Sequence, residues 1–451
     1  MNSTHLFRTA FAIIIFGIAP PLHAQEPMKL DLYRAVGLAL QQNRILASER
    51  ASADVAHARV KQYQGMLMPR VSASSSAARS NSPMNTFSYK LLQQHLQPSD
   101  LSTFTLNNPS YVTNYQTKLT VEAPIYEGGA LWAGKDRAEQ MADAADSGVR
   151  ANTQQLIFQV VRAYAQVFEA DTQKSAAKSA LDAARHHLKT TRIMAQKGTA
   201  IKSDVMDAEV SALNAKIRLH RIENRREKAM DQLRRLLGLG VSSPLRLTRS
   251  PSIPAVSDSP KKLVTQAQAR RPDLIALQKR LEASRASISE ARADFMPHVG
   301  VMATQEWNNN TLAPKNPNTT IAGKVTFNLF AGGSDKAAWD AAQAQHVRLQ
   351  YQLEDKKQEI HDEIMDAWRS MQEATSRAAE QQQALDQARE SLRIHALRYR
   401  HGLERVTDLL SAQARMDHAR ASAIHARFDT IISTAHLMLA AGTLTPEAVH
   451  E

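Results

Sequence analysis

This chain contains the same design twice. Residues 117–129, TKLTVEAPIYEGG, begin as a strand. Thr117, Leu119, Val121, Ala123 and Ile125 point one way, while Lys118, Thr120 and Glu122 point the other. Such period-two alternation marks a sheet with two different faces. Gly128 and Gly129 then end the strand, and a long Ala-rich helical pattern follows. Residues 323–333, GKVTFNLFAGG, repeat the arrangement and close on Gly332 and Gly333. The offset of 204 residues holds downstream: Gly198 maps to Gly402, Asp204 to Asp408 and Gly238 to Gly442. Glycines shared at a fixed offset mark shared turns. An internal duplication restricts the fold to one supersecondary unit built twice.

Each unit reads as helix, strand, loop, strand, long helix, break, helix. In the first, residues 30–67 are helical until Pro69, 70–79 are a weak polar strand, 80–114 a long loop and 115–126 a second strand. Residues 130–196 contain no proline, and apolar positions recur every three or four residues through Val160, Ala163, Tyr164 and Val167. A helix of that length reaches roughly 100 Å, which suits a rod or tube better than a globule. Lys197-Gly198-Thr199 breaks it, and Ser203 or Asp204 caps the next helix, which runs to Leu237. Residues 241–260, rich in Pro and Ser, read as a linker with a short strand at 244–247.

The second unit places helix at 261–295, strands at 298–307 and 320–330, the long helix at 334–400, a break at Gly402 and a last helix at 406–441 before a polar tail. The domain expectation is therefore 25–240 for the first repeat, 241–260 for the linker and 261–451 for the second. Pro69 and Pro297 stand 228 apart, not 204, so the first hairpin loop is 24 residues longer. Loops tolerate such insertions.

The sequence holds no cysteine, which excludes disulfides, thiolate metal sites and a lipid on an N-terminal cysteine. Residues 1–24 read as a secretory leader: Arg8 is the charged end, 11–19 the apolar stretch and Ala24 a small cleavage-site residue. That apolar run is too short for a spanning helix, so insertion of the exported chain into a membrane requires strands. The net charge of +12 falls to +11 without the leader, and the basic residues are spread along the helices. A solvated surface explains them better than nucleic acid does.

Four strands of about ten residues match the length that crosses an outer membrane. They cannot close a barrel alone, because membrane barrels start at about eight strands. Strands must then be pooled between chains, and a trimer supplies twelve, with the helices continuing the wall as a tube. At the far end of each long helix stand equivalent acids, Asp204 and Asp408. Asp207 lies one turn past Asp204, and its counterpart is Ser411. A ring of inward acids that selects cations and helix N-capping both account for them, with spacing alone favouring the cap.

In the order and constant offset of these segments the chain resembles the TolC-like outer-membrane efflux proteins. The match rests on PIYEGG and NLFAGG leading into Ala-rich helices, KGTAIKSDVMDAE and HGLERVTDLLSAQ at the helix breaks, and LRRLLGLG closing the first repeat. The resemblance implies a mainly α chain with a small β part. Its helices form a coiled-coil tunnel and its strands a four-stranded share of a trimeric twelve-stranded barrel. It implies a homotrimer in the outer membrane that reaches into the periplasm, docks on a periplasmic adaptor and an inner-membrane pump, and has no catalysis or cofactor. Its adaptor-docking tips correspond to Lys197, Gly198 and Thr199 and to His401, Gly402 and Leu403. Asp408 matches the first of two aperture acids, and Ser411 departs from the second. Asp204 matches an acid that pairs with a basic residue of the other tip. That basic position is Glu404 here, with Arg405 adjacent as a substitute.

Two rival readings are weaker. No HExxH, GxSxG or phosphate-binding glycine loop supports an enzyme. His361-Asp362-Glu363 and His186-His187 are adjacent on helices, so their side chains point apart. An exported coiled-coil adhesin would share the leader and helical seams, but would not need amphipathic strands at the same point of each half.

Overall fold

The computed structural model describes residues 27–449. The expected leader lies outside them. The duplication is visible at single-residue resolution. Helix α5 (Ala130–Gln196) and helix α9 (Ser334–Arg400) have the same length at the 204-residue offset, as do α6 (Lys202–Leu236) and α10 (Val406–Ala440). Gly129 and Gly333 occupy the N-caps of the long helices with φ of 90° and 89°. That left-handed turn reverses the chain from strand to helix.

The long helices are the spine. Toward the strands they pack against α2 (Arg44–Met66) and α8 (Pro272–Arg292), and toward the opposite end against α6 and α10. Buried positions repeat with the duplication: Leu156 and Ile360, Val160 and Ile364, Ala163 and Ala367, Leu181 and Leu385, Leu233 and Leu437. Removing an aliphatic side chain of this kind from water stabilises by about 1.5–3 kcal/mol.

Four expectations change. The helix expected over 30–67 is two helices, α1 (Leu32–Gln42) and α2, because Asn43 interrupts it and caps α2 by accepting from the amides of Ile45 and Leu46 at 3.0 Å. The helix expected over 261–295 likewise divides into α7 (Pro260–Arg270) and α8, since Pro272 cannot continue a helix and starts one instead. The linker is part of the core. Strand β1 (Met28–Leu30) pairs in parallel with β4 (Leu245–Leu247), and Ile253 and Val256 pack beneath them. Tyr164 is fully buried there and donates its hydroxyl to Arg249 O at 2.8 Å, and burial pushes its phenol up to about 12. The C-terminal tail also belongs to this core, with Leu444 and Val449 buried.

The fourth change is the long first loop, which is partly helical. Between β2 (Arg70–Ser80) and β3 (Val112–Glu127) lie α3 (Pro83–Leu92), a 3-10 turn at Pro98–Leu101 and α4 (Thr103–Asn107). Proline at the first turn and a Ser102 cap account for starts that the turn-rich composition concealed. Strands β5 (His298–Asn309) and β6 (Pro317–Thr326) complete an antiparallel sheet of order β2-β3-β5-β6.

Candidate functional site

The register of the sheet sorts every residue onto one of two faces. Val71, Val121, Ala303 and Ile321 are aligned across the four strands, and so are Ala73, Leu119 and Gln305. This face also carries Val299, Val301 and Val325, with Tyr115 and Trp307 toward the hairpin end and Tyr126 toward the helices. The other face aligns Ser72, Thr120, Thr304 and Thr320, and adds Arg70, Lys118, Glu122, Glu306, Asn308 and Lys324. Gln116 bonds Glu306 at 2.9 Å and His298 bonds Glu127 at 2.7 Å. A hollow of about 920 Å³, bordered by Arg70, Glu122, Met302 and Lys324, lies on the polar side, so that side is concave. An apolar convex face with aromatic residues at both ends and a polar concave face is the signature of a barrel wall with lipid outside and water inside.

The sheet does not close on itself within the chain. Strands β2 and β6 each have a single partner, so both edges are open. A backbone contact at the junctions marks the same gap. A Cβ on Gly128 would meet Ala293 O at 2.4 Å, whereas one on Gly332 would meet nothing within 4 Å. The second junction lacks the neighbour that the first one has. Among the described residues no helix is long and apolar enough to cross a membrane.

At the opposite end, two helix hairpins turn through equivalent Schellman motifs. Gly198 and Gly402 adopt φ of 74° and 70°, and the amides of Thr199 and Leu403 donate to Met194 O and Arg398 O at 2.9 Å. Lys197, Gly198, Thr199, His401, Gly402 and Leu403 are all exposed. The acids behind these turns differ. Asp204 is partly buried and accepts from the Ile201 amide at 3.2 Å, so it caps its helix from the third position. Asp408 holds the same position in α10 and is exposed, and its carboxylate has no hydrogen bond or ion pair among the described residues. Asp207 and Ser411 are exposed, and Asp207 borders a groove with Ala177, Ala180, Ala184 and Asp417. Arg405 is exposed and its guanidinium meets no partner within the protomer among the described residues. The structure brings neither Arg405 nor Glu404 to Asp204.

Glu404 does something else. Its side chain is 10% exposed and sits 2.6 Å from His395 Nδ1 and 3.8 Å from Arg398 Nε, pinning the second turn to its own helix. Nearby, Tyr399 OH lies 3.3 Å from Thr191 Oγ1 and joins the two hairpins. Sequence reading missed both contacts. No period encodes a side chain that folds back across a turn or reaches another hairpin. Contrary to the expectation that they point apart, His361 and Asp362 meet at 3.0 Å on the helix surface, while Glu363 turns away to Arg271, so the three do not converge on one site.

Comparison with known proteins agrees with this geometry. The alkaline protease secretion protein AprF of Pseudomonas aeruginosa is 22% identical over 341 residues, covering 73% of this chain and 70% of that protein. The outer membrane protein TolC of Vibrio cholerae is 23% identical over 326 residues, covering 70% and 74%. The crystal structure of the Campylobacter jejuni CmeC outer membrane channel superposes with a TM-score of 0.80 at 17% identity, over 91% of this chain and 85% of that one, and so shares the fold. The family model for outer membrane efflux proteins matches residues 35–239 and 263–443, one span per repeat. With most of its length matched in both repeats, the chain belongs to the outer membrane efflux protein family.

Proposed function

We propose that three copies of this chain form a passive exit duct through the outer membrane, with the sheets pooled into one barrel and the helices continuing it as a tunnel toward the inner membrane. The reading treats the chain as a conduit without catalysis, whose exposed turns at Lys197–Thr199 and His401–Leu403 seat a periplasmic adaptor and its pump. The observation that carries it is the two-faced sheet with both edges open. Pairing between the repeats within one chain supplies the register expected between chains. Val121 pairs with Ala303 inside the protomer. Moved by the repeat offsets, that pair becomes Val325 of one copy and Ser75 of the next. Both residues lie on the apolar convex face, as paired residues must.

The chain has no cysteine, so introduced cysteines report cleanly. Carrying Val325→Cys and Ser75→Cys together, the protein in its membrane should oxidise to a covalent trimer, while either single variant stays monomeric on denaturing gels. Absence of any cross-link would refute the shared wall. At the other end, the unpaired Asp408 is the acid placed to ring the aperture. Asp408→Ala should change cation conductance of reconstituted channels far more than Asp204→Ala, because Asp204 is committed to its helix start. Equal effects would remove Asp408 from the aperture. Gly402→Trp should abolish export with trimers intact, and export that survives it would move the docking point elsewhere.

A further inference from the structure

The long connection between β2 and β3 has no counterpart in the second repeat. Seven residues join β5 to β6, and thirty-one join β2 to β3. This insertion stands at the end of the sheet farthest from the helices, and it is fastened to the polar concave face. Gln93, at the end of α3, is 2% exposed and donates to Thr113 O and Asn114 Oδ1, both at 2.9 Å. Asn114 donates in turn to Asn308 Oδ1 at 2.9 Å. Asn316 donates to Gln93 O at 2.7 Å and to Asn308 O at 3.1 Å. Asn114 and Asn308 belong to the polar side of the register. Lys90 and Asp100, 2.6 Å apart, tie α3 to the turn that follows it. The insertion is therefore a fixed body over the concave side.

That body exposes apolar groups. Phe104 is 76% exposed, Met84 74%, Leu101 55% and Leu91 47%. Several large apolar side chains exposed in one short segment call for a covering partner. The size of the mouth identifies it. A closed wall of twelve strands, spaced about 4.8 Å apart and tilted about 40°, is about 24 Å across between backbones. A helix with its side chains is about 10 Å thick, so three of them around one axis need a circle of about 22 Å. The wall's own inward side chains narrow that mouth further, so three copies of α3 on the concave side cannot avoid one another.

We propose that the α3–α4 insertions of the three copies meet on the common axis and close the outer mouth of the duct. The occupant of each exposed apolar surface is the same surface on the other copies. The duct then has an apolar constriction at its outer end, where a dry contact stops ions by dewetting, in addition to any aperture at the helical tips. The proposal rests on the shared-wall trimer, and its test separates the two.

Full-length protein carrying Phe104→Cys is treated in the membrane with a short bismaleimide. Covalent dimers linked through residue 104 are expected, because each copy offers one thiol and a bismaleimide joins two. If the strand cross-link between residues 325 and 75 forms but residue 104 does not link, the trimer stands and the closed mouth is overturned. If residue 104 is instead protected from aqueous maleimide and labelled from the lipid phase, the insertion lies against the bilayer and the proposal also fails. Replacing residues 84–108 with a short Gly-Ser turn should raise single-channel conductance several-fold. Should that variant not fold, Asn316→Gly serves in its place. Asn316 has φ of 56°, so glycine keeps the backbone and removes only the amide bonds to Gln93 and Asn308. Conductance should again rise, and unchanged conductance in a folded variant overturns the proposal.

Discussion

The two repeats solve one mechanical problem with different chemistry. Each must anchor its short helix pair against the last turn of its own hairpin. In the first repeat Asn43, 5% exposed, caps α2 and donates to Leu236 O at 2.9 Å. In the second, Arg271 stands at the 228-residue offset and donates to Ala440 O at 3.1 Å, the carbonyl equivalent to Leu236 O. The neutral joint closes on itself. The charged joint recruits Asp273 at 2.7 Å and also Glu363, with Lys356 3.4 Å from Asp273. Burial works against the charge on Arg271, yet Asp273 and Glu363 together hold its pKa above the usual value. Burial likewise pushes the Asp273 carboxyl up, and Arg271 and Lys356 more than reverse it. A duplicated backbone thus keeps a hydrogen-bond acceptor and leaves the donor free to drift.

The glycines beside these joints break the comparison most sharply. A Cβ on Gly238 would lie 2.3 Å from the backbone oxygen of Gln42, whereas one on Gly442 meets the Arg271 Cγ at 3.0 Å, a tight contact that a shift of a few tenths of an ångström relieves. Both residues have φ near 70°. Gly238→Ala should cost about 2–4 kcal/mol, the left-handed penalty plus overpacking, and Gly442→Ala only about 1–2 kcal/mol. Heat- or urea-midpoints of the trimer in detergent measure both. Equal losses would show that the first joint yields as easily as the second.

Next in size is Arg271→Ala, which removes the guanidinium from two carboxylates and leaves Asp273 only Lys356. Because both are partly exposed, the expected loss is about 2–3 kcal/mol, below that for a fully buried pair. Asn43→Ala should cost about 1–2 kcal/mol as a lost cap. The smallest effect sharpens the contrast through pH. The Asp273 pKa is depressed in the folded chain, so its contribution is present above its unfolded value of about 4 and fades as pH falls through the folded value. The penalty of Arg271→Ala should therefore shrink as pH falls below about 4, while that of Asn43→Ala stays flat over the same range. Parallel pH profiles would mean that the ion pair adds nothing beyond its hydrogen bond.

The same divergence runs through the tips, where function is expected. Both turns keep the glycine and the acid; the Schellman geometry requires the glycine, but only Asp204 uses its carboxylate at the helix start. Around that frame the second tip adds the Glu404 to His395 pair, while position 200 of the first is alanine. Asp204 is bonded and Asp408 is free. Identical positions in a repeat therefore do not have identical work, and the acid of the second tip is the one whose carboxylate has no partner among the described residues.

Much of this was legible from the linear chain. Long helices without proline, glycines at a fixed offset and strands that alternate in period two are local signals, set by backbone sterics and by the pitch of helix and strand. They gave the duplicated frame of long elements, both helix breaks and the two faces of the sheet as far as Pro124, where a bulge puts Tyr126 and not Ile125 on the apolar face. Local signals failed wherever a distant partner decided the outcome. The stretch over 80–114 reads as loop because its turn residues are plain, while the bonds that fix α3 come from Asn114, Asn308 and Asn316. Residues 241–260 read as linker because they lack a period, yet β4 is held by β1 more than two hundred residues away. The tail reads as polar, but Leu444 and Val449 find a hydrophobic core built by both repeats. Sequence determined what each segment is, since that depends on neighbours along the chain. Only the tertiary structure decided what each segment touches, because hydrogen bonds and burial act through space and carry no period.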